Sequence, residues 1–493
     1  MGHQRSDGRG QCVGFLRRRI GRDTGRHGSE PSSGESRQMM FKALKSVFRT
    51  AGCSRLIVKP LAPNDNSKNQ VYFGPDFQAV NLLPHGNVIA DGSRFKAPLD
   101  FHWMDASGVL SVAPHSQLIL YPQYPEVRFS GFLRGSKNAP KELMASRLQD
   151  RILLLGLGDS NRVIGHVIGG QSPLRNQIVD EIKSGRDIPI GVFHELSLSE
   201  SGRDPARDLL AALGRVHQLG WIGGQILRSD GTITPTNAAN ACGYTLESML
   251  GVSANSAADP DFQGWELKSL TVKQLGSVPL SHRMTLMTPE PKAGIYRDQG
   301  VLEFVRTYGY PDKSGIPDRL NFGGQFRVGQ REPNTGLTMV LDGYSAAPGE
   351  VSGRIDTPTG GLVLRDDFGN VAAMWPYPEL ISHWNRKHAR AAYVPAISRI
   401  ENGERQFKFD RQVFLGVQTD FLRFLGSMNL GQIVYDPGIK VEGNSTSTPI
   451  TKRRSQFRTK FEHLSLLYAA FEIQPVSLAS AADVESPSFS GFG

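Results

Sequence analysis

The stretch Tyr244–Ser269, YTLESMLGVSANSAADPDFQGWELKS, decides how this chain reads. Tyr244–Leu250 has the composition of a short helix, and Gly251 stands where a glycine commonly closes one. A polar loop, Ser253–Asp259, follows, and Pro260-Asp261 leads into Phe262–Leu270, which reads as a strand. Side chains alternate faces along a strand. Glu266 and Lys268 therefore share one face and Leu267 takes the other, with Asp261 at the strand's entry.

Two carboxylates and a lysine converging at a strand suit phosphodiester hydrolysis. Carboxylate oxygens are hard ligands matched to Mg²⁺. The ion polarises a phosphate and lowers the pKa of an attacking water. A lysine can orient that water or stabilise the charge that builds on phosphorus-bound oxygens. Burying two acids together is costly without a cation between them, so an ion is expected as part of the site. Glu181-Ile182-Lys183 repeats the Glu-x-Lys spacing, but it lies in NQIVDEIKSG, which reads as the solvated face of an amphipathic helix.

The segments GYTLESMLGV, PDFQGWELKS and RMTLMTPEP closely resemble the catalytic segment of the MvaI/BcnI-type restriction endonucleases, within the PD-(D/E)xK nuclease superfamily. The resemblance is sharp over 240–290 and extends diffusely from about 205 to 470. It implies catalytic roles for Glu247, Asp261, Glu266 and Lys268, with Asp261 and Glu266 on Mg²⁺ and Glu247 supporting the site from its helix. It implies an α/β fold, a mixed sheet flanked by helices, with Glu-x-Lys on the central strand and Arg283–Thr288 as a second core strand. A C-terminal stretch with an arginine after a phenylalanine helps such enzymes read DNA. This makes Arg454 and Arg458 candidates for base or phosphate contact, with Arg453, Asp436 and Lys440 beside them. A solvated basic loop is the competing reading of that segment.

The function implied is a Mg²⁺-dependent, sequence-specific endonuclease of double-stranded DNA, of the type II restriction kind. It would act as a monomer whose two lobes clasp the duplex, and a companion methyltransferase would protect the host. A strand-nicking repair enzyme similar to the MutH type shares the catalytic architecture. A non-catalytic, modification-sensing DNA binder is the rival from another class.

Outward from this centre, 493 residues allow two or three domains. Hydrophobic residues at 39% and charged residues at 21% suffice for a sizeable core. Residues 1–54 read as a disordered basic tail and a short helix, Met40–Thr50; eight of the net +9 chain's arginines lie before residue 39. Residues 55–195 read as a smaller β-rich accessory domain, 200–475 as the nuclease domain and 476–493 as a loose tail. In the accessory domain, QLILYPQYPEVRFSGFLRGSKNAPKEL interleaves aromatics with Arg128, Arg134, Lys137 and Lys141, a pattern that lines nucleic-acid grooves and ordinary sheet surfaces alike. Pro205 opens a helix with Leu209, Leu210, Leu213, Val216 and Leu219 at helical spacing.

Gly156-Leu157-Gly158 lacks the third glycine of a dinucleotide loop and reads as a turn; His383 and His388 miss the spacing of a helical metal pair; Trp265 reads as core. Three cysteines, Cys12, Cys53 and Cys242, are too dispersed for a disulfide framework or zinc cluster, and no apolar run reaches the ~18–20 residues of a membrane helix. A cytoplasmic setting is expected.

Overall fold

The computed structural model describes residues 33–63, 70–75, 77–124, 126–158, 161–185, 187–198, 205–253, 261–350, 353–387 and 390–478. The expected basic tail therefore lies outside the described residues as far as position 32, as do His388, Pro260 and the C-terminal residues from 479. The first helix, α1 (Ser33–Thr50), begins at Ser33 rather than Met40.

The first half of the chain contains β1 (Cys53–Leu61), α2 (Gln78–Leu82), β2 (Arg94–Pro98), β3 (Gln117–Tyr121), β4 (Glu126–Ser130), β5 (Arg151–Gly158), β6 (Arg162–Ile168) and β7 (Phe193–Ser197). In a seven-stranded sheet, Asp187–Ile190, β7, β1, β5, β6, Asp100–Met104 and Leu110–Val112 follow one another. A five-stranded antiparallel sheet sets β4, β3 and β2 between Val71–Tyr72 and Ile89–Asp91.

The apolar run of β5 is buried on both faces. Leu153 and Leu155 join the main core with Ile57, while Ile152 and Leu154 join Leu56, Val58, Phe41 and Phe48 under α1. A strand covered on both sides needs no polar alternation. Gly156 lies inside β5, not in the expected turn: it pairs with Leu56 and Ile164. A Cβ there would stand 2.5 Å from Phe48 Cδ1 and 2.6 Å from Cys53 Sγ, so the glycine is what lets α1 approach.

The second half opens with α3 (Pro205–Gln218), whose Leu209, Leu213 and Val216 are buried; Leu219, beyond the helix, is exposed. It continues with α4 (Ala241–Met249), β8 (Glu266–Thr271) and β9 (Arg283–Met287). After them come α5 (Tyr377–Lys387), β10 (Arg390–Glu401), β11 (Glu404–Phe409), β12 (Gln412–Thr419) and α6 (Phe421–Asn429). The last strands are β13 (Ile433–Tyr435), β14 (Gly438–Glu442), β15 (Ile450–Lys452), β16 (Phe457–Lys460) and β17 (Tyr468–Pro475).

Strands outnumber helices more heavily here than an alternating pattern predicts. β8 runs parallel to β10, Glu266 opposite Ala391 and Lys268 opposite Tyr393. Among the described residues it pairs with no other strand, so it is an edge strand of its sheet and not the expected central one. β11 and β12 follow each other along β10, which pairs Ala396 with Phe409 and Tyr393 with Phe414. β9 does not join this sheet as expected; it pairs with β16, which pairs with β13.

The segments before and after residue 200 share one hydrophobic core, which runs from Ile57 and Phe193 to Leu270, Tyr393 and Tyr468. Polar contacts stitch the seam. Asn81 Nδ2 donates to the Thr419 carbonyl, Val88 N to Ser382 Oγ at 3.2 Å, and Gln418 Nε2 to the Pro189 carbonyl at 2.7 Å. No helix among the described residues is long and apolar enough to cross a membrane.

Candidate active site

The strand expected over Phe262–Leu270 starts only at Glu266, because the residues before it form a tight turn. Phe262 and Trp265 exchange backbone hydrogen bonds of 3.0 and 2.8 Å, and the two residues between them, Gln263 and Gly264, have φ of 45° and 85°. Positive φ at both central positions is the two-residue hairpin turn that matches strand twist. Carried one residue outward, that pairing sets Asp261 across from Glu266. Asp261 Oδ2 accepts from the Leu267 N–H at 2.8 Å, so the turn locks the aspartate onto the strand that carries Glu266 and Lys268. Trp265 is buried in the core, as expected.

Glu266 and Lys268 do share a face. Lys268 Nζ donates to Glu266 Oε1 at 2.9 Å, with side-chain exposures of 14% and 7%. The other carboxylate oxygen, Oε2, is buried with no hydrogen-bond partner. A buried anionic oxygen left bare is expensive. Opposite β8, Tyr393 stands beside Lys268 in the register, and its hydroxyl meets that of Tyr468 at 2.9 Å. Burial chiefly, and the Glu266 charge further, push both phenols above their usual range, so they stay neutral dipoles behind the carboxylate.

Glu247 sits on α4, which packs on the face of β8 opposite Glu266. Cys242 and Leu246 of that helix meet Leu267 in the second core, and the Cys242 thiol, raised by burial, bonds Ser269 and Thr271. A Cβ on Gly243 would lie 3.7 Å from Ser269 Oγ and 3.9 Å from Glu247 Oε1, which puts the glutamate beside the helix–strand seam. The helix ends as Gly251 suggested: Gly251 N donates to the Ser248 carbonyl and Val252 N to that of Glu247, a Schellman closure with φ of 75° at the glycine. The structure thus gathers Asp261, Glu266 and Lys268 and keeps Glu247 one layer away.

Among the described residues no three His, Cys, Asp or Glu side chains form a metal-holding group. Two carboxylates still fit Mg²⁺, which keeps several waters and takes one or two protein carboxylates plus substrate oxygens. The bare Glu266 Oε2 is the observation that favours a cation here.

The candidate DNA-reading residues lie on and between the strands that follow α6: Lys440 and Arg458 on strands, Asp436, Arg453 and Arg454 in the connections. Arg458, on β16, donates from Nη1 to Asp436 Oδ2 at 2.9 Å and from Nη2 to the Arg283 carbonyl at 3.4 Å. Arg283 Nη1 is 3.9 Å from the same Asp436 oxygen, so Asp436 anchors two arginines. Lys440 and Lys452 share Glu442 across the β14–β15 hairpin at 2.9 and 3.1 Å. Arg453 and Arg454 are exposed, and the Arg454 guanidinium lies over Gly438, where a Cβ would come within 2.6 Å of Nε. Of the segment whose competing reading was a solvated basic loop, Lys452 and Phe457–Lys460 lie in paired strands, and residues 453–456 connect them.

With this geometry in view, the comparison with known families is direct. The family model of the MvaI/BcnI restriction endonucleases matches residues 210–468, more than half of the 493-residue chain. The chain belongs to the MvaI/BcnI restriction endonuclease family. The match covers α4, the Gln263-Gly264 turn, β8 and the strands around Arg453–Arg458, and it leaves residues 1–209 outside. The chain is also similar to two solved structures. One is a complex of restriction endonuclease MvaI with cognate DNA substrate, at 17% identity and a TM-score of 0.41. The other is MvaI in the absence of DNA, at 16% identity and a TM-score of 0.30; each alignment covers 55% of this chain and 98% of the other. No curated protein matches the chain.

Three features of this MvaI/BcnI-type site escaped the sequence reading: the turn at Gln263-Gly264, the Tyr393–Tyr468 pair and the small Gly243. A Gln-Gly pair between Phe262 and Trp265 was the available sign of the first. Nothing local marks the tyrosines, which reach Glu266 through pairing distant in sequence.

Proposed function

We propose that this MvaI/BcnI-family chain is a Mg²⁺-dependent endonuclease that cuts double-stranded DNA at a specific sequence, in the manner of type II restriction enzymes. The observation that carries the reading is the Glu266 carboxylate, gripped on one oxygen by Lys268 and bare on the other, with Asp261 tied to the same strand. Asp261 and Glu266 would hold the ion, which when bound supplies Lewis acidity to the scissile phosphate and to a water. Lys268 has three donors and only one is committed to Glu266. Its ammonium is suited to hydrogen-bond the incoming water or the phosphate oxygen that gains charge. The neutral Tyr393 and Tyr468 keep water from behind the carboxylate without competing for the ion.

Arg453, Arg454 and Arg458, with Lys440 and Asp436, are the proposed DNA-reading group. Asp436 holds the Arg458 fork in one orientation, and a fixed guanidinium reads a guanine edge or a phosphate better than a mobile one. A monomer with one such site would cut the strands in successive events, and a companion methyltransferase would shield host DNA.

The test is a digest of unmethylated plasmid and phage DNA with Mg²⁺ or EDTA, alongside Glu266→Ala. Discrete Mg²⁺-dependent fragments from the parent protein and none from the variant are expected. Equal cleavage by Glu266→Ala would remove the assignment. Nicked circles that never become linear would move the reading to a strand-nicking repair enzyme.

A further inference from the structure

We infer that the accessory domain carries a second DNA-contacting site, a pocket for a single nucleotide lined by Gln117, Ser130 and Arg134; this rests on the DNA-cleaving reading above and extends it. The cavity opens where β3 begins and β4 ends, and its volume is about 510 Å³. That is within the range of small-molecule sites, roughly 300–1,000 Å³, and far larger than an isolated anion needs.

Five polar residues line it: His115, Ser116, Gln117, Ser130 and Arg134. Among the described residues none of them has a side-chain hydrogen bond or ion pair, and the Ser116 hydroxyl is buried without a partner. Elsewhere the chain pairs comparable groups: Lys440 and Lys452 share Glu442, and Arg331 grips Asp367. Polar groups clustered at one cavity and left unmatched from within are placed for a ligand that matches them.

The ligand's chemistry follows from the lining. Arg134 lines the cavity and no acid does, with Lys137 further along the loop and Lys141 opening the short helix beyond it, so the ligand is anionic. Lys137 and Lys141 are exposed and, like Arg134, have no carboxylate partner among the described residues. The Gln117 amide offers both a donor and an acceptor, the arrangement that pairs with the edge of a base. Pro98 and Leu133 supply apolar walls for its faces. Phosphate on Arg134, base edge on Gln117 and apolar walls together describe a nucleotide.

The site is rigid. Gly131, with φ of 77°, lies so close to the His115 carbonyl that a Cβ would fall 1.8 Å from it, which pins the loop to the pocket floor. The pocket also borders the nuclease seam: Pro98 abuts Gly86, and nearby Val88 donates to Ser382 on α5. Phe129 and Phe132 of this segment are buried in the core and so do not stack bases, and Arg128 is held by Glu126 at 2.9 Å.

The full chain, in EDTA, is titrated with each of the four deoxynucleoside 5′-monophosphates and with inorganic phosphate, followed by calorimetry. Saturable binding of at least one nucleotide, about tenfold or more tighter than phosphate, is expected. Arg134→Ala should weaken all four nucleotides about tenfold, and Gln117→Ala should collapse the differences among them. Glu266→Ala should leave these affinities within about twofold. Phosphate binding as tightly as the nucleotides would reduce the site to an anion site and overturn the proposal. Absence of saturable binding would overturn it too, as would a loss caused by Glu266→Ala and not by Gln117→Ala. The same preparations are assayed for Mg²⁺-dependent cleavage, so a failure of the nuclease reading shows separately from a failure of the pocket.

Discussion

At the scale of single residues, the site turns on how Glu266 is shared. Lys268 satisfies Oε1 and leaves Oε2 bare in a nearly buried setting. On the proposed reading, a divalent ion that joined Oε2 would relieve the cost of that orphaned oxygen and would couple metal binding to folding. Mg²⁺ should therefore raise the Tm of the parent protein above its value in EDTA, and Glu266→Gln should abolish the rise; an unchanged rise in the variant would place the ion elsewhere. Lys268→Ala should retain DNA binding and lose cleavage by about 10²–10³-fold, the effect of deleting one donor aimed at developing charge. Gel-shift affinity in Ca²⁺ or EDTA, set against single-turnover rates in Mg²⁺, separates the two quantities.

At the scale of elements, the turn before β8 carries the aspartate. Gly264 at φ 85° has open space around a would-be Cβ, so Gly264→Ala meets no clash and tests backbone strain alone. The left-handed region costs an alanine roughly 1–2 kcal/mol. The expected result is a Tm drop with a larger loss of cleavage, as Asp261 drifts from Leu267 N; Gln263→Asn, with the residue this turn type prefers, should keep both. Equal cleavage by Gly264→Ala would show that the turn does not position Asp261. What was legible beforehand follows the same division between local and distant. The α4 helix, its Gly251 closure and the shared face of Glu266 and Lys268 depend on neighbours within a few residues, and the sequence displays them. The edge position of β8 beside β10, the pairing of β9 with β16 and the Tyr393–Tyr468 floor depend on strands remote in sequence. Gly156 misled for a related reason: a glycine inside a strand looks like a turn until the helix that presses on it, here through Phe48, is known.

At the scale of the whole molecule, the first half of the chain is tied to the sheet of β8 and β10 by a buried charge. Glu195, on β7, accepts from Nε and Nη2 of Arg55, on β1, at 2.9 and 3.0 Å, and also accepts from Arg390. Arg390 is the first residue of β10, and the next, Ala391, is the register partner of Glu266. Burial by itself would raise the Glu195 carboxyl; the charges and hydrogen bonds of Arg55 and Arg390 reverse that and hold it at about 2. A carboxyl lowered on folding from 4.5 to about 2 carries about 3 kcal/mol of stability. That contribution is complete above pH 4.5 and is lost as the pH falls from 4.5 toward 2. Removing the carboxylate takes an ion-pair partner from the buried Arg390 and the partly exposed Arg55, so Glu195→Ala should cost about 3 kcal/mol at neutral pH. Because the seam also shares one hydrophobic core, accessory domain and nuclease should melt in a single transition that Glu195→Ala lowers as a unit. Glu195→Gln should remove most of the acid sensitivity between pH 4.5 and 2 while keeping the shape of the contact. Calorimetry across that range decides it: two separate transitions in the parent protein, or an acid profile that Glu195→Gln leaves unchanged, would mean that the two halves are merely adjacent and that the latch does not hold β10 in register with Glu266.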